Sequence, residues 1–228
     1  MFDRIAAKYD LLNRVLSCGI DRLWRRRLAR TLLSGTHHRI LDLATGTGDV
    51  ALTIASKAKR AFIVGVDPSA AMLAAGHDKI RQARHDNAIA LAQGDAMALS
   101  FDDDIFDAVT IAFGIRNVPD VPQALREILR VTKPGGRLLI LEFSLPTNPL
   151  LRSAYLLYFR HVLPRIGGAV SGDKEAYRYL NRSAEAFPAG SAMCSLIEAA
   201  GFAQPEAYPL TWGVATLYTA TKPTRGEG

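Results

Sequence analysis

This sequence predicts a doubly wound α/β fold, a largely parallel sheet with helices on both faces. Three observations predict it. Between residues 37 and 145, short apolar runs alternate with stretches of helical period. The apolar runs are continuous, as strands buried on both faces require. A glycine-rich turn joins the first run to the next helical stretch, and right-handed crossovers then wrap helices around both sides of the sheet. The chain has 228 residues, 49% of them apolar and 22% charged. That composition suits one large soluble domain with its own core, and it excludes disordered, collagenous and coiled-coil chains.

Residues 1–35 are expected to form a helical arm. Within 21–33, Trp24, Leu28 and Leu32 share one face, with Arg22, Arg25, Arg26 and Arg30 elsewhere, the pattern of an amphipathic helix. Residues 36–228 then make the main domain. Arg39-Ile40-Leu41-Asp42-Leu43 reads as the first strand and 49–58 as a helix. Residues 61–66 read as the second strand, and Ser69 caps a helix reaching about residue 84. Residues 89–92 form a weak strand and 105–113 a strongly buried one. A helix over 121–131 leads to a strand over 137–143, and Lys133-Pro134-Gly135-Gly136 between them suits a type II turn.

After Ser144 the pattern breaks. Pro146, Pro149, Pro164, Gly167 and Gly168 interrupt two helical stretches, 150–162 and about 173–186. Residues 145–190 are therefore read as a helical insertion over one end of the sheet, with the arm covering the same end. A helix over 191–200, a turn at Gly201 and strands over 202–210 and 214–221 follow. The tight connection Thr211-Trp212-Gly213 makes the last two strands a hairpin, so the last strand is expected to be antiparallel.

No apolar run approaches the ~18 residues of a spanning helix, and the N-terminus lacks the apolar core of a secretory signal. A cytoplasmic protein is expected. Cys18 and Cys194 have no metal-ligand spacing and read as reduced, buried small hydrophobes; no metal is expected. The net charge of +6 is uneven. Residues 1–30 hold eight Lys and Arg against three Asp, and residues 152–182 hold six against two acids. Such segments suit an acidic partner, or a solvated helical face.

The chemistry concentrates after the first strand, in Asp42-Leu43-Ala44-Thr45-Gly46-Thr47-Gly48-Asp49. Gly46 and Gly48 let a ligand approach the backbone, and the following helix start leaves amide donors in the same crevice. Asp67, ending the second strand, is placed to accept both hydroxyls of a ribose. Two cofactors fit. Gly46-x-Gly48-x-x-Ala51 matches the dinucleotide pattern, and the outline also suits S-adenosylmethionine. Electrostatics favours the second, since Asp42 and Asp49 flanking the turn oppose a pyrophosphate and suit an ammonium and a sulfonium. Asp95 and Ala96, after the third strand, could meet an adenine through a carboxylate and an amide; the plainer reading of Asp95 is a turn or cap residue.

Here the chain resembles class I S-adenosylmethionine-dependent methyltransferases, and more narrowly the ubiquinone/menaquinone biosynthesis C-methyltransferase family. The likeness is carried by Phe2-Asp3-Arg4-Ile5-Ala6 with the block from Tyr9 to Trp24, by the glycine loop, by Phe113-Gly114-Ile115-Arg116-Asn117-Val118, and by the run from Arg130 through Gly136 to Ser144. His161-Val162-Leu163-Pro164-Arg165-Ile166-Gly167 and Tyr177-Arg178-Tyr179-Leu180 add to it. The resemblance implies a Rossmann-like sheet of seven strands and methylation of a ring carbon on a polyprenylated quinol. It implies S-adenosyl-L-methionine as cofactor, with contacts from Thr47, Asp67, Asp95 and Ala96. Asp42, Ala44, Gly46 and Gly48 complete the expected donor site. Many members have a donor-contacting Ser where this chain has Ala112, so a contact there can come only from backbone.

Attack by a ring carbon needs its neighbouring hydroxyl deprotonated, in a dry and aligned site. Arg116 is expected to stabilise the phenolate, directly or through a water, and Asn117 to orient the ring. The plainer reading is that Arg116 pairs with an acid and organises its loop. His161 and Tyr177, with Tyr9, are candidates for lining or proton transfer; Tyr155, Tyr158 and Phe159 suit packing or a tail channel. Arg22, Arg25, Arg26 and Arg27 with Trp24 could hold the protein at an anionic inner leaflet. Demethylmenaquinol is the favoured substrate and a ubiquinone-pathway benzoquinol the alternative. The rivals are an NAD-dependent oxidoreductase and, prompted by a pI near 9.5, a nucleic-acid-binding methyltransferase. Few aromatics interleave the basic residues and no recognition motif appears, so nucleic acid is not expected as a partner. A homodimer is left open.

Overall fold

A computed structural model describes residues 19–35, 38–158, 160, 183 and 185–224. The elements run α1 (Asp21–Leu32), β1 (Arg39–Leu43), α2 (Asp49–Ala55), β2 (Phe62–Asp67), α3 (Ala70–Gln82), β3 (Ile89–Gln93), β4 (Phe106–Ala112), α4 (Val121–Val131), β5 (Thr132–Phe143), α5 (Pro149–Leu157), α6 (Ser191–Ala199), β6 (Ala203–Leu210) and β7 (Ala215–Thr221). They build one seven-stranded sheet in the order β3-β2-β1-β4-β5-β7-β6. The first five strands are parallel, and β7 runs antiparallel to both β5 and β6.

Side-chain alternation along the strands feeds two cores. Ile40, Ile63, Leu139, Leu141 and Leu217 pack on one face with Trp24, Leu28 and Leu32 of α1 and Ile54 of α2. Leu41, Val109, Ile111, Leu138, Ile140 and Tyr218 pack on the other with Leu125 and Ile128 of α4 and Met193 and Ile197 of α6. Burial of each such side chain stabilises by about 1.5–3 kcal/mol. Helix α1 lies along the first face beside α2. Its Trp24 is 4% exposed, and the indole Nε1 donates to Thr211 Oγ1 at 2.8 Å. The arm is thereby tied to the β6–β7 hairpin.

Element ends are set locally. Ser69 accepts from Met72 N at 3.2 Å and Asp120 from Gln123 N at 2.9 Å, each capping its helix. The helix expected over 49–58 stops at Ala55, and the strand expected from 137 begins at Thr132. The type II turn lies inside that strand as an irregularity: Gly135 has φ +75°, and its amide reaches Lys222 O. Of the expected insertion, α5 is seen, and none of its residues is buried. The rest of the second helical stretch falls mostly outside the described residues.

Candidate functional site

The strand order reverses between β1 and β4, and in open α/β sheets ligands bind at that switch, beyond the carboxyl ends of the strands. Both ends turn away sharply. Ala44 after β1 and Phe113 after β4 have φ +49° and +57°, a region that costs energy for residues other than glycine. Gly114 permits the approach, since a Cβ there would stand 2.3 Å from the Ala44 Cβ. The result is a crevice enclosing about 710 Å³ of open space, walled by Ala44, Gly46, Asp67, Asp95, Ala96 and Asn117 among others. Val66, Met72 and Val118 give it apolar sides. A narrower recess opens under the loop, lined by Arg25, Asp42, Thr47, Asp49 and Ala112.

Asp67 is 8% exposed and fixed from both sides. Its Oδ2 accepts from Gly46 N and its Oδ1 from Ser69 N, each at 2.9 Å. The Gly46 amide is thus already committed, which removes one donor that a pyrophosphate would use. Asp95 accepts from Met97 N at 2.9 Å through Oδ1, an Asx turn, and also lines the crevice. Ala96 follows it along the same wall. Thr47 is buried, and Lys79 Nζ lies 3.3 Å from its hydroxyl. Gly48 has φ +78° at the start of α2.

The loop acids are not a bare pair facing the crevice, and here the sequence expectation is corrected. Asp49 is bound by Lys79 of α3 and lies 3.1 Å from Arg25. Asp42 is 1% exposed and accepts from the Thr45 and Thr110 hydroxyls, both at 2.6 Å. Burial pushes its carboxyl up to about 6, with the two hydroxyls and Arg25 pulling the other way. Negative charge at the loop is therefore compensated from within. Arg25, grouped in the sequence with outward-facing cations, is 8% exposed and pairs with Asp21 and Asp49. Its spacing of four from Asp21 was the only signal of that role. Trp24 likewise faces inward, so neither belongs to an exposed basic face.

Arg116 leaves the end of β4 in a short 3-10 turn, Ile115–Asn117. Its side chain, 6% exposed, meets Glu142 Oε1 at 2.6 Å, and Glu142 is 1% exposed. The same nitrogen donates to Phe113 O at 2.6 Å, and the guanidinium lies 5.3 Å over the Phe143 ring. Its Nε and the Asn117 Oδ1 are buried without a hydrogen-bond partner among the described residues. Asn117 lines the crevice; Arg116 holds the loop carrying it from behind. His161, Tyr177, Tyr9, Phe159 and Cys18 lie outside the described residues. Burial raises the Tyr155 hydroxyl far above its ordinary range. Arg130, which sequence reasoning left without a role, donates to Leu99 O and Phe101 O and pairs with Glu127 and Asp103. It closes the segment after Ala96. Among the described residues no group of His, Cys, Asp and Glu is placed to hold a metal, and no helix is long and apolar enough to cross a membrane.

A model of the ubiE/COQ5 methyltransferase family matches residues 1–222. The chain is 52% identical over 227 residues to the ubiquinone/menaquinone biosynthesis C-methyltransferase UbiE of Syntrophotalea carbinolica, covering 100% of this chain and 94% of that one. It is 47% identical over 223 residues to the demethylmenaquinone methyltransferase of Thermus thermophilus, covering 98% and 100%. Among solved structures, the cyclase SpnF superposes with a TM-score of 0.69 at 20% identity, covering 98% of this chain and 95% of that one. A SAM-dependent methyltransferase of Thermotoga maritima gives 0.67 at 19% identity, covering 97% and 98%. These two likenesses show the fold.

Proposed function

From the chain's membership of the ubiE/COQ5 methyltransferase family, we propose that it moves a methyl group from S-adenosyl-L-methionine to a ring carbon of a polyprenylated quinol. Demethylmenaquinol, giving menaquinol, is the favoured substrate; a ubiquinone-pathway benzoquinol is the second reading, because the relatives' names carry both pathways. The observation that carries the donor assignment is Asp67, buried at the mouth of the β1/β4 crevice with each oxygen fixed by a backbone amide. A carboxylate so placed at the end of β2 suits the two hydroxyls of a ribose.

The residues present fit this donor. Asp95 and the Ala96 amide stand where an adenine edge would lie, between the apolar sides of Val66 and Met72. The recess beneath offers Arg25 to a carboxylate and Asp42 to an ammonium, the two ends of an amino acid. When bound, the donor supplies an electrophilic methyl. The protein aligns the ring, excludes water and provides for the ring hydroxyl's proton. Asn117, on the crevice wall, is the residue assigned to orient the ring. Arg116 is fixed on Glu142 and Phe113 O, and so holds the loop that carries Asn117. His161 and Tyr177 are the candidates for lining the site or carrying the ring hydroxyl's proton.

Two measurements test the reading. S-adenosylhomocysteine should raise the melting temperature, and the protein with methyl-labelled donor should convert demethylmenaquinol to labelled menaquinol. Absence of both overturns it. The quinone that accumulates when the gene is deleted decides between the two substrates.

A further inference from the structure

A second concavity, outside the donor crevice, runs between α1 and α2. It encloses about 1030 Å³ of open space and is lined by Arg22, Arg25, Arg26, Arg30, Asp49, Leu52, Thr53, Ser56 and Lys57. The five cations face a single carboxylate, and that carboxylate is already held by Arg25 and Lys79. Among the described residues, Arg22, Arg26, Arg30 and Lys57 form no ion pair, and all four are exposed. Arg22, Arg26 and Arg30 recur every fourth residue, so they stack along one stripe of α1 and repel one another. Nothing among the described residues relieves that repulsion. The two hydroxyls of the groove are spent on backbone: Thr53 donates to Asp49 O at 2.7 Å and Ser56 to Thr53 O at 2.9 Å. Recognition in the groove is thus left to the cations.

We propose that this groove is a binding site for a phosphate-bearing anion. Guanidinium groups present paired N–H donors that match phosphate oxygens two at a time, and they are weakly hydrated enough to give up water for that contact. Arg22, Arg26 and Arg30 bind from one wall, and Lys57, just past the end of α2, closes the far end. Arg25 stays with Asp21 and Asp49 as the fixed base of the groove. The phosphate can come from a lipid headgroup at a bilayer surface or from a free phosphate compound; the chemistry recognised is the same. The site adjoins the donor recess, because Arg25 and Asp49 line both.

The test uses the full chain without donor or quinol, so its outcome stands apart from that of the methyl-transfer reading. One arm titrates inorganic phosphate and pyrophosphate by calorimetry at low ionic strength. The other follows cosedimentation with vesicles of phosphatidylglycerol in phosphatidylcholine, against phosphatidylcholine alone. The variant Arg22→Ala/Arg26→Ala/Arg30→Ala is compared with Arg81→Ala/Arg126→Ala, which removes charge from other exposed helix positions. Circular dichroism checks that each is folded. Binding in either arm, weakened about fivefold per groove arginine and so on the order of a hundredfold for three, and unaltered in the control variant, supports the proposal and names the source. Binding in neither arm overturns it. So does binding that the groove variant retains, or that both variants lose equally. Should the triple variant fail to fold, Arg26→Glu alone is used, with the same outcomes read.

Discussion

Asp42 is a carboxylate folded into a place that disfavours its charge. Burial lifts it from 3.8 to about 6. A folded-state value above the unfolded one means that its stabilising contribution is full below about pH 4 and is lost as pH rises through about 6. The shift corresponds to a loss on the order of 3 kcal/mol. The stability of Asp42→Asn relative to the parent should therefore rise by that order between pH 4 and pH 7, as urea titrations at stepped pH would show. A cation resting on Asp42 favours its ionised form, so donor affinity should climb with pH through the same window, and Asp42→Asn should flatten the climb. Calorimetry giving one affinity from pH 5 to pH 8 for the parent would remove Asp42 from donor binding. Arg25 makes the complementary case. Hydrogen bonds to charged groups contribute about 1.5–3 kcal/mol, so Arg25→Ala should weaken donor binding roughly ten- to a hundredfold, with Arg25→Lys recovering part of it. Asp21→Asn, which loosens the same pair away from the recess, should weaken it far less.

Helix α3 acts on the glycine loop from outside. Lys79, near its end, binds Asp49 and sits 3.3 Å from the Thr47 hydroxyl, bridging thirty residues of sequence. Lys79→Met should leave the sheet intact by circular dichroism but free the loop, lowering donor affinity several-fold, with faster amide exchange over 45–49. A change in melting temperature without a change in affinity would assign Lys79 to the fold alone. This bridge shows where sequence reading stops. The strands were legible because continuous apolar runs report burial on both faces, and the loop was legible because Gly46 and Gly48 sit between a strand and a helix. Ser69 announced its helix through a local hydrogen bond. Lys79, Glu142 and the inward turn of Arg25 leave no such mark: each is defined by a partner brought close only by the folded sheet, and an isolated Lys or Arg reads as a surface residue. The acids flanking the loop misled for the same reason, since their compensating cations come from α1 and α3.

The sheet itself is graded from centre to edge. Strand β4 and residues 138–142 of β5 are almost wholly buried, whereas β3 and β6 are mostly exposed or half-buried and close the two sides. Hydrogen exchange should follow that gradient. Amides of β1, β4 and β5 should exchange only through global unfolding, and those of β3 and β6 through cheaper local opening; uniform protection across all seven strands would contradict it. The seven strands and the antiparallel hairpin were foreseeable, but the place of β7 between β5 and β6 was not, because a hairpin can dock by either of its strands. That placement has a consequence for biosynthesis. Strand β5 stays unpaired on one side, and β6 has no sheet to join, until Thr221 has cleared the ribosome. A nascent chain stalled anywhere before β7 presents an open apolar edge, the template for clumping with its neighbours on a polysome. The residues of β7 are therefore the ones that make every earlier strand safe to have been translated.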